Sequence, residues 1–416
     1  MNENMRVCLM HSASPVVRCA LTIKAGTRNE SVQYNGMAHL VEHMLFKGTL
    51  KRDSKSINNC LEKEGGELNA YTTKEEIVIY ATVMKEDFAK AADLLLELAL
   101  TSQFPQKELD KERSVIYDEI ISYKDSPSES IYDHFETLLF DGHPLYLPIL
   151  GEKKSLRRIT PQHLLQFTGE FFVPSNMVFS IVGNITESHA RRCIDRSLAR
   201  YYKGEATLVF RSESESGIQT SLPEKSSSHL AGTVFGKEVL KRNHQAHCII
   251  GATAYSYYDG WRRNALTLLC NILGGPASNS RLNMLLREKY AMVYNIEANY
   301  TPYTDTGVFS IYFGCDKALL DKCRTLVYRE LEKTCTAPLS ENELKKAKKQ
   351  FLGQLHISHD NAESQVLAAG KSLLVYDRLY SLEYTMKLVE AITSEQLLQV
   401  AKEVLGREHL SELVYR

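Results

Sequence analysis

The sequence predicts an α+β protein made of two homologous units, and three observations carry that prediction. Short runs rich in β-branched residues alternate with longer segments of helical apolar spacing. A polar stretch rich in serine and glutamate, residues 211–228, divides the chain into halves of similar length, 1–210 and 229–416. The order of strands and helices in the first half then recurs in the second, as expected of a duplicated unit. At roughly 100–200 residues per domain, 416 residues suffice for such units with sizeable cores.

In the first half, residues 16–23 (VVRCALTI) and 76–83 (EIVIYATV) read as strands. Between them, 36–46 and 54–64 read as helices. Residues 86–100 have the apolar spacing of a helix packed on a sheet, and 106–122 follow Pro105 as a further helix. A late strand, 177–182, ends at Gly183-Asn184. In the second half, 246–253 and 308–313 are strand-like, while 262–273, 317–333 and 340–355 are helical.

Composition excludes several classes. Fifty basic residues against 51 acidic ones leave a formal charge of −1, unlike a strongly basic nucleic-acid binder or an acidic disordered chain. No stretch approaches the ~20 apolar residues of a membrane span, and residues 1–6 do not begin a signal peptide. Nine cysteines form an odd number with no CxxC, which predicts reduced core thiols rather than a disulfide framework. A cytoplasmic protein without nucleic-acid or membrane partners is therefore expected.

The sharpest local signal is His39-Leu40-Val41-Glu42-His43. On a helix, residues four apart lie about 40° apart around the axis, so both imidazoles project from one face and can grip one ion. Two neutral imidazoles suit Zn²⁺, and the adjacent Glu42 carboxylate can take a proton from an activated water. Chance gives such a pattern in roughly one chain of this composition in twenty, so the pentapeptide alone does not settle the chemistry. A catalytic zinc needs a third protein ligand and an open position. The helix at 106–122 offers Glu108, Asp110, Glu112, Asp118 and Glu119, and spacing alone leaves the choice open.

The stretch Gly36-Met-Ala-His-Leu-Val-Glu-His-Met-Leu-Phe-Lys-Gly-Thr49 resembles the signature of the pitrilysin family of inverted-motif zinc peptidases, which includes insulin-degrading enzyme, mitochondrial processing peptidase and short two-domain bacterial relatives. Residues 64–72 (EGGELNAYT), 112–120 (ERSVIYDEI), 273–282 (LGGPASNSRL), Leu286-Arg-Glu-Lys289 and Val293-Tyr294 are similar to that family too, so the resemblance spans essentially the whole chain. One departure is Tyr290-Ala-Met-Val-Tyr294, where the family often has Arg-Gly-Leu-Ala-Tyr.

The resemblance implies two α/β-sandwich domains, each a mixed, mostly antiparallel sheet flanked by helices. It implies one Zn²⁺ per chain on His39, His43 and Glu119, the last standing 76 residues after His43. Glu42 becomes the general base and Glu112 a helper beside the metal. Asn69, Ala70 and Tyr71 lie on an extended segment, 69–79, that would hold peptide substrate as an added strand. Arg287 and Tyr294, seven apart and on one face if the segment stays helical, match a pair that binds substrate and stabilises the oxyanion. In the family this pair comes from the half of the particle opposite the zinc, so a two-domain chain is expected to form a homodimer with two composite sites. A heterodimer with a homologous chain is the variant arrangement.

Of the remaining histidines, seven have no partner at ligand spacing, His244 and His247 have no acid placed to help, and His356 and His359, near a predicted helix end, are expected in solvated or capping roles. The expected function is a zinc-dependent endopeptidase acting on peptides or short unfolded segments inside a two-subunit chamber. The alternatives are a non-catalytic structural subunit of a processing-peptidase-like assembly and the catalytic half of a heterodimeric maturation protease.

Overall fold

Each half of the chain folds around one mixed sheet because its central strands are apolar on both faces and need cover on both. The computed structural model describes residues 3–212 and 232–416. Nearly all of the expected connector, 211–228, lies outside the described residues; Arg211 ends a strand.

From the N-terminus the chain runs β1 (Glu3–His11), β2 (Val16–Ile23), α1 (Met37–Leu45), α2 (Ser54–Glu62), β3 (Glu67–Thr72), β4 (Ile77–Met84), α3 (Phe88–Thr101) and α4 (Gln106–Lys124). It continues through α5 (Pro127–Leu139), α6 (Lys153–Leu156), α7 (Pro161–Phe171), β5 (Met177–Gly183), α8 (Glu187–Tyr201) and β6 (Ala206–Arg211). Then follow β7 (Gly236–Val239), β8 (Gln245–Ala254), α9 (Gly260–Gly274), a π-helix at Asn283–Lys289, β9 (Val293–Pro302) and β10 (Gly307–Asp316). The chain closes with α10 (Leu320–Thr336), α11 (Glu341–His359), α12 (Ala362–Tyr376), α13 (Leu382–Glu390), α14 (Ser394–Leu405) and β11 (Ser411–Tyr415).

The first sheet has the order β3-β4-β2-β5-β1-β6 and the second β7-β11-β8-β10-β9. Pairing β1, β5, β2, β4 and β3 with β7, β11, β8, β10 and β9 matches the two orders strand for strand. Over the matched strands each sheet has a parallel pair at the corresponding place, β1/β5 and β7/β11, followed by three antiparallel pairs, and the first sheet has a second parallel pair, β1/β6. The duplication expected from the sequence is thus present in the strand connectivity, with β6 as an extra edge on the first sheet.

The expected division into two uninterrupted halves needs correction. The first compact unit takes the chain up to Ile121, Leu147 through β6, and Ser358–Ser381. The second takes Ser122–Tyr146, the chain from β7 to Ile357, and Leu382–Arg416. Each sheet therefore has one face covered by a helix from the other half of the sequence. Helix α12 packs on β5 and β2, putting Ala369, Leu373 and Leu374 against Val178 and Cys8. Helix α5 lays Ile131, Phe135 and Leu139 over Ile249 of β8 and Leu413 of β11. Neither exchange leaves a local signature, because an amphipathic helix shows which face is apolar and not which sheet it will cover.

The close seat of α12 depends on Gly370. A Cβ there would press into the Oγ1 of buried Thr22 and lie 3.3 Å from Oγ of Ser180. Ser180 in turn donates to the Val366 carbonyl at 2.8 Å, and Arg6 of β1 to the Leu373 carbonyl at 2.8 Å. Among the described residues no helix is long and apolar enough to cross a membrane, and all nine cysteines are free thiols. We predict that Gly370→Ala costs about 1–3 kcal/mol in urea unfolding through overpacking. Gly169→Ala on α7, where a Cβ meets nothing within 4 Å, should instead be neutral or stabilising.

Candidate metal centre

Helix α1 is held inside the first core by Met37, Ala38, Leu40, Val41, Met44 and Leu45, all buried. Each of the larger side chains contributes on the order of 1.5–3 kcal/mol by burial. His39 and His43 lie along the edge of that apolar face, their ring centroids 4.6 Å apart in an edge-on arrangement. The helix starts at Gly36, which has φ +92° and no side chain with which to cap it. A Cβ there would sit 2.9 Å from both the Leu150 carbonyl and a Leu156 methyl.

The capping comes from Glu30, six residues upstream. Its carboxylate accepts from Gly36 N at 2.7 Å, Ala38 N at 2.6 Å and Asn35 Nδ2 at 2.9 Å. Burial pushes the Glu30 carboxyl up to about 8 and these hydrogen bonds oppose the rise, so what caps the helix is a pair of acceptor oxygens for N–H groups that would otherwise be unpaired. The turn so fixed is the one that carries His39.

Helix α4 supplies the third side. Its buried stripe runs Leu109, Glu112, Ile116 and Ile120, so one acid stands among apolar residues on the face turned to the core. Glu119 brings Oε1 to 3.7 Å from His39 Nε2 and Oε2 to 3.6 Å from His43 Nε2. The ligand atoms of His39, His43 and Glu119 all lie within 4.8 Å of one another, and among the described residues these three form the group able to hold a metal ion. The other acids of α4 are otherwise engaged or exposed. Glu108 pairs with Lys111 and Asp110 with Arg113, each at 2.7 Å, while Asp118 faces solvent.

The donor set fits a zinc ion on the chemistry of its nitrogens. Burial, reinforced by His43, pushes His39 down to about 3, so its imidazole is neutral near pH 7 and has a lone pair to give. His43 Nδ1 lies 3.1 Å from Glu112 Oε2; with the ring hydrogen on Nδ1 this is a donor–acceptor pair that leaves the Nε2 lone pair facing Glu119. The other oxygen of Glu112 receives Lys47 Nζ at 2.7 Å. Nδ1 of His39 is buried without a hydrogen-bond partner among the described residues.

Glu42 lies between the two histidines on the same helix. Burial raises its carboxyl above the usual range; Thr72 at the end of β3 and His43 oppose the rise, and Glu119 adds to it. Among the described residues strand β3 is an edge strand, paired only with β4. Asn69 is exposed on it, Ala70 packs toward the core, and Tyr71 meets Tyr80 edge-on at 6.1 Å. The expectation of one extended segment over 69–79 is corrected: the chain turns at 73–76, where Thr73 N bonds the Glu76 carbonyl, and β4 returns alongside β3.

Arg287 and Tyr294 belong to the second unit. The helical continuity that would set them on one face is absent. The π-helix ends at Lys289, Ala291 takes the left-handed φ of +49°, and Tyr294 stands on β9, 89% exposed. Ala291 thus adopts the conformation for which the family's glycine is suited, at a cost of about 1 kcal/mol. Arg287 lines a cavity of about 220 Å³ with Asn283, Asn295, Glu297 and Asn299. On α9, which follows β8 as α1 follows β2, the sequence GWRRNALTLLCNILG has no histidine.

Two residues of the site escaped the sequence reading, Glu30 and Lys47. Lys47 had a usable signal, four residues beyond His43; Glu30, in a non-periodic loop, had none.

Two family models match successive stretches of the chain, meeting inside the first compact unit. Residues 6–153 match the family described as Insulinase (Peptidase family M16), and 158–351 match the Peptidase M16 inactive domain. An uncharacterized zinc protease of Bacillus subtilis, YmxG, is 28% identical over 405 residues, covering 96% of this chain and 94% of that protein. One from Rickettsia bellii is 29% identical over 394 residues, covering 95% and 91%. Among solved structures, a Pseudomonas fluorescens protein described as a peptidase M16 inactive domain superposes with TM-score 0.84 at 20% identity, covering 98% of this chain and 94% of that one. A protease from Helicobacter pylori gives 0.81 at 19%, covering 97% and 94%.

The depressed basicity of His39 has a measurable consequence. In the unfolded chain this residue takes up a proton near pH 6.5, whereas the native state resists until about 3, so stability falls as pH drops below 6.5. In the metal-free chain we predict a loss on the order of 1–2 kcal/mol from this residue between pH 7 and pH 5. His39→Gln should remove that part of the pH dependence in parallel unfolding curves.

Proposed function

The chain belongs to peptidase family M16, the insulinase family, and we propose that it is a zinc-dependent endopeptidase acting on peptides and short unfolded segments. The observation that carries this reading is the convergence of His39 Nε2, His43 Nε2 and a Glu119 oxygen beside Glu42, in a chain whose full-length relatives are named zinc proteases. Zinc bound by these three side chains would supply Lewis-acid polarisation of a water and of the scissile carbonyl.

The rest is the work of this chain's own residues. Glu42 would take the proton of the attacking water and return it to the leaving amine. Its burial between the histidines favours both halves of that cycle, since a carboxylate in a poorly solvated place is a stronger base. Glu112 holds the His43 ring in the orientation that presents Nε2. The open edge of β3, ending at Thr72 beside Glu42, offers backbone groups to an extended peptide, which favours unstructured segments over folded proteins.

In this reading Arg287 and Tyr294 reach the substrate from a second copy of the chain, the tyrosine stabilising the developing oxyanion. The exposure of Tyr294 supports the assignment, because its hydroxyl is not engaged by its own domain.

Glu42→Gln should keep its zinc, measured by metal analysis, and lose about 10²–10⁴-fold in turnover of a quenched fluorescent peptide library. A chelator should stop the wild type, and zinc should restore it. Turnover retained by Glu42→Gln would refute the assignment, and bound zinc without any turnover would favour a non-catalytic subunit. The shared site has its own test. Mixing inactive Glu42→Gln with inactive Tyr294→Phe should recover roughly a quarter of wild-type activity, since mixed dimers hold one intact composite site. No recovery after exchange of subunits would place both residues in one chain's site.

A further inference from the structure

We infer that Lys47 is a positioning residue for the metal centre, acting through Glu112 on His43. The inference rests on the reading of His39, His43 and Glu119 as the metal ligands. Lys47 stands four residues after His43, just beyond the end of α1, where its backbone N–H still bonds the Met44 carbonyl at 3.1 Å. That spacing brings its ammonium round to the side of the helix on which His43 lies.

The carboxylate of Glu112 is divided between the two residues. Oε1 takes Lys47 Nζ at 2.7 Å and Oε2 faces His43 Nδ1 at 3.1 Å. Glu112 is only 8% exposed and projects from the apolar stripe of α4, so water does little to hold its oxygens in place. A side chain attached by one long arm can rotate its carboxylate; a carboxylate gripped at one oxygen cannot rotate without breaking a charge-assisted bond. Lys47 therefore fixes the plane in which Glu112 receives the His43 ring hydrogen. Through that bond it fixes the ring orientation that aims Nε2 at Glu119, 3.6 Å away.

The arrangement links the two metal-bearing helices at the end of α1 remote from Glu30. His39, on the first turn, is served by the Glu30 carboxylate through the backbone amides of Gly36 and Ala38. His43, near the last turn, is served by Lys47 through Glu112.

The test is the zinc affinity of the purified full chain, measured by competition with a chromophoric chelator, together with the visible spectrum of the cobalt(II)-substituted protein. Neither readout requires peptidase activity. Lys47→Met should weaken zinc binding by about tenfold and alter the cobalt bands, because outer partners of a ligand typically carry effects of that size. Lys47→Arg, which can still grip Oε1, should restore affinity to within a few-fold of wild type. In the Glu112→Gln background, adding Lys47→Met should cost little more, since the route to His43 is already broken.

Wild-type affinity and an unchanged cobalt spectrum in Lys47→Met would overturn the inference, as would a full additional loss in the double variant. A wild-type chain that fails to bind zinc would overturn the metal-site reading itself, and with it this inference, before any variant is compared. Thermal unfolding of each metal-free variant separates these outcomes from a general loss of fold.

Discussion

Two imidazoles one helical turn apart must remain neutral and aimed at a common point while the helix that bears them is anchored in a hydrophobic core. For His39 burial, reinforced by the neighbouring imidazole, secures the first condition: removal from water disfavours its charged form, leaving a lone pair free near neutral pH. Burial does not secure the second, because apolar contacts are non-directional and fix a helix better than they fix a ring. Direction is supplied by polar groups at the helix ends: Glu30 on the first-turn amides, and Glu112 with Lys47 behind His43. Each of these groups is costly to bury alone, and each is paired, which explains why the polar contacts concentrate around α1.

Helix α4 shows how one element performs two tasks. Glu112 and Glu119 are seven residues apart and therefore share a face, yet Glu112 is buried while the Glu119 side chain is 43% exposed. The difference follows the position of each along α1. Glu112 meets the end of that helix, against His43 Nδ1 and Lys47 Nζ; Glu119 faces Nε2 of both imidazoles, where the proposed ion would lie.

The matching strand orders of the two sheets indicate one architecture used twice with different chemistry. In the first unit the helix after the second strand of the repeat carries HLVEH; in the second, α9 has arginines and leucines and no histidine. The scaffold therefore does not impose the chemistry, which depends on a few side chains placed on it. The second unit has irregular backbone between α9 and β9, a π-helix that carries Arg287 followed by left-handed Ala291, with Tyr294 just beyond on β9. Irregularities of this kind carry a local cost and persist where the surrounding structure holds them.

Periodicity made much of this legible in the chain alone. The 3.6-residue repeat puts His39 and His43 on one face whatever the rest of the protein does, and runs such as VVRCALTI report strands buried on both sides. Duplication was readable because it repeats along the chain. Spacing did not show that α5 and α12 each cover the sheet of the other half or that residues 69–79 fold back as a hairpin, and it left Glu119 open among five acids until the family resemblance pointed to it. It also did not show that Lys47 and Glu30 attend the two ends of α1. A one-dimensional pattern determines which residues share a face of an element; which face meets which is decided when the elements pack, by shape and by the need to pair every buried charge.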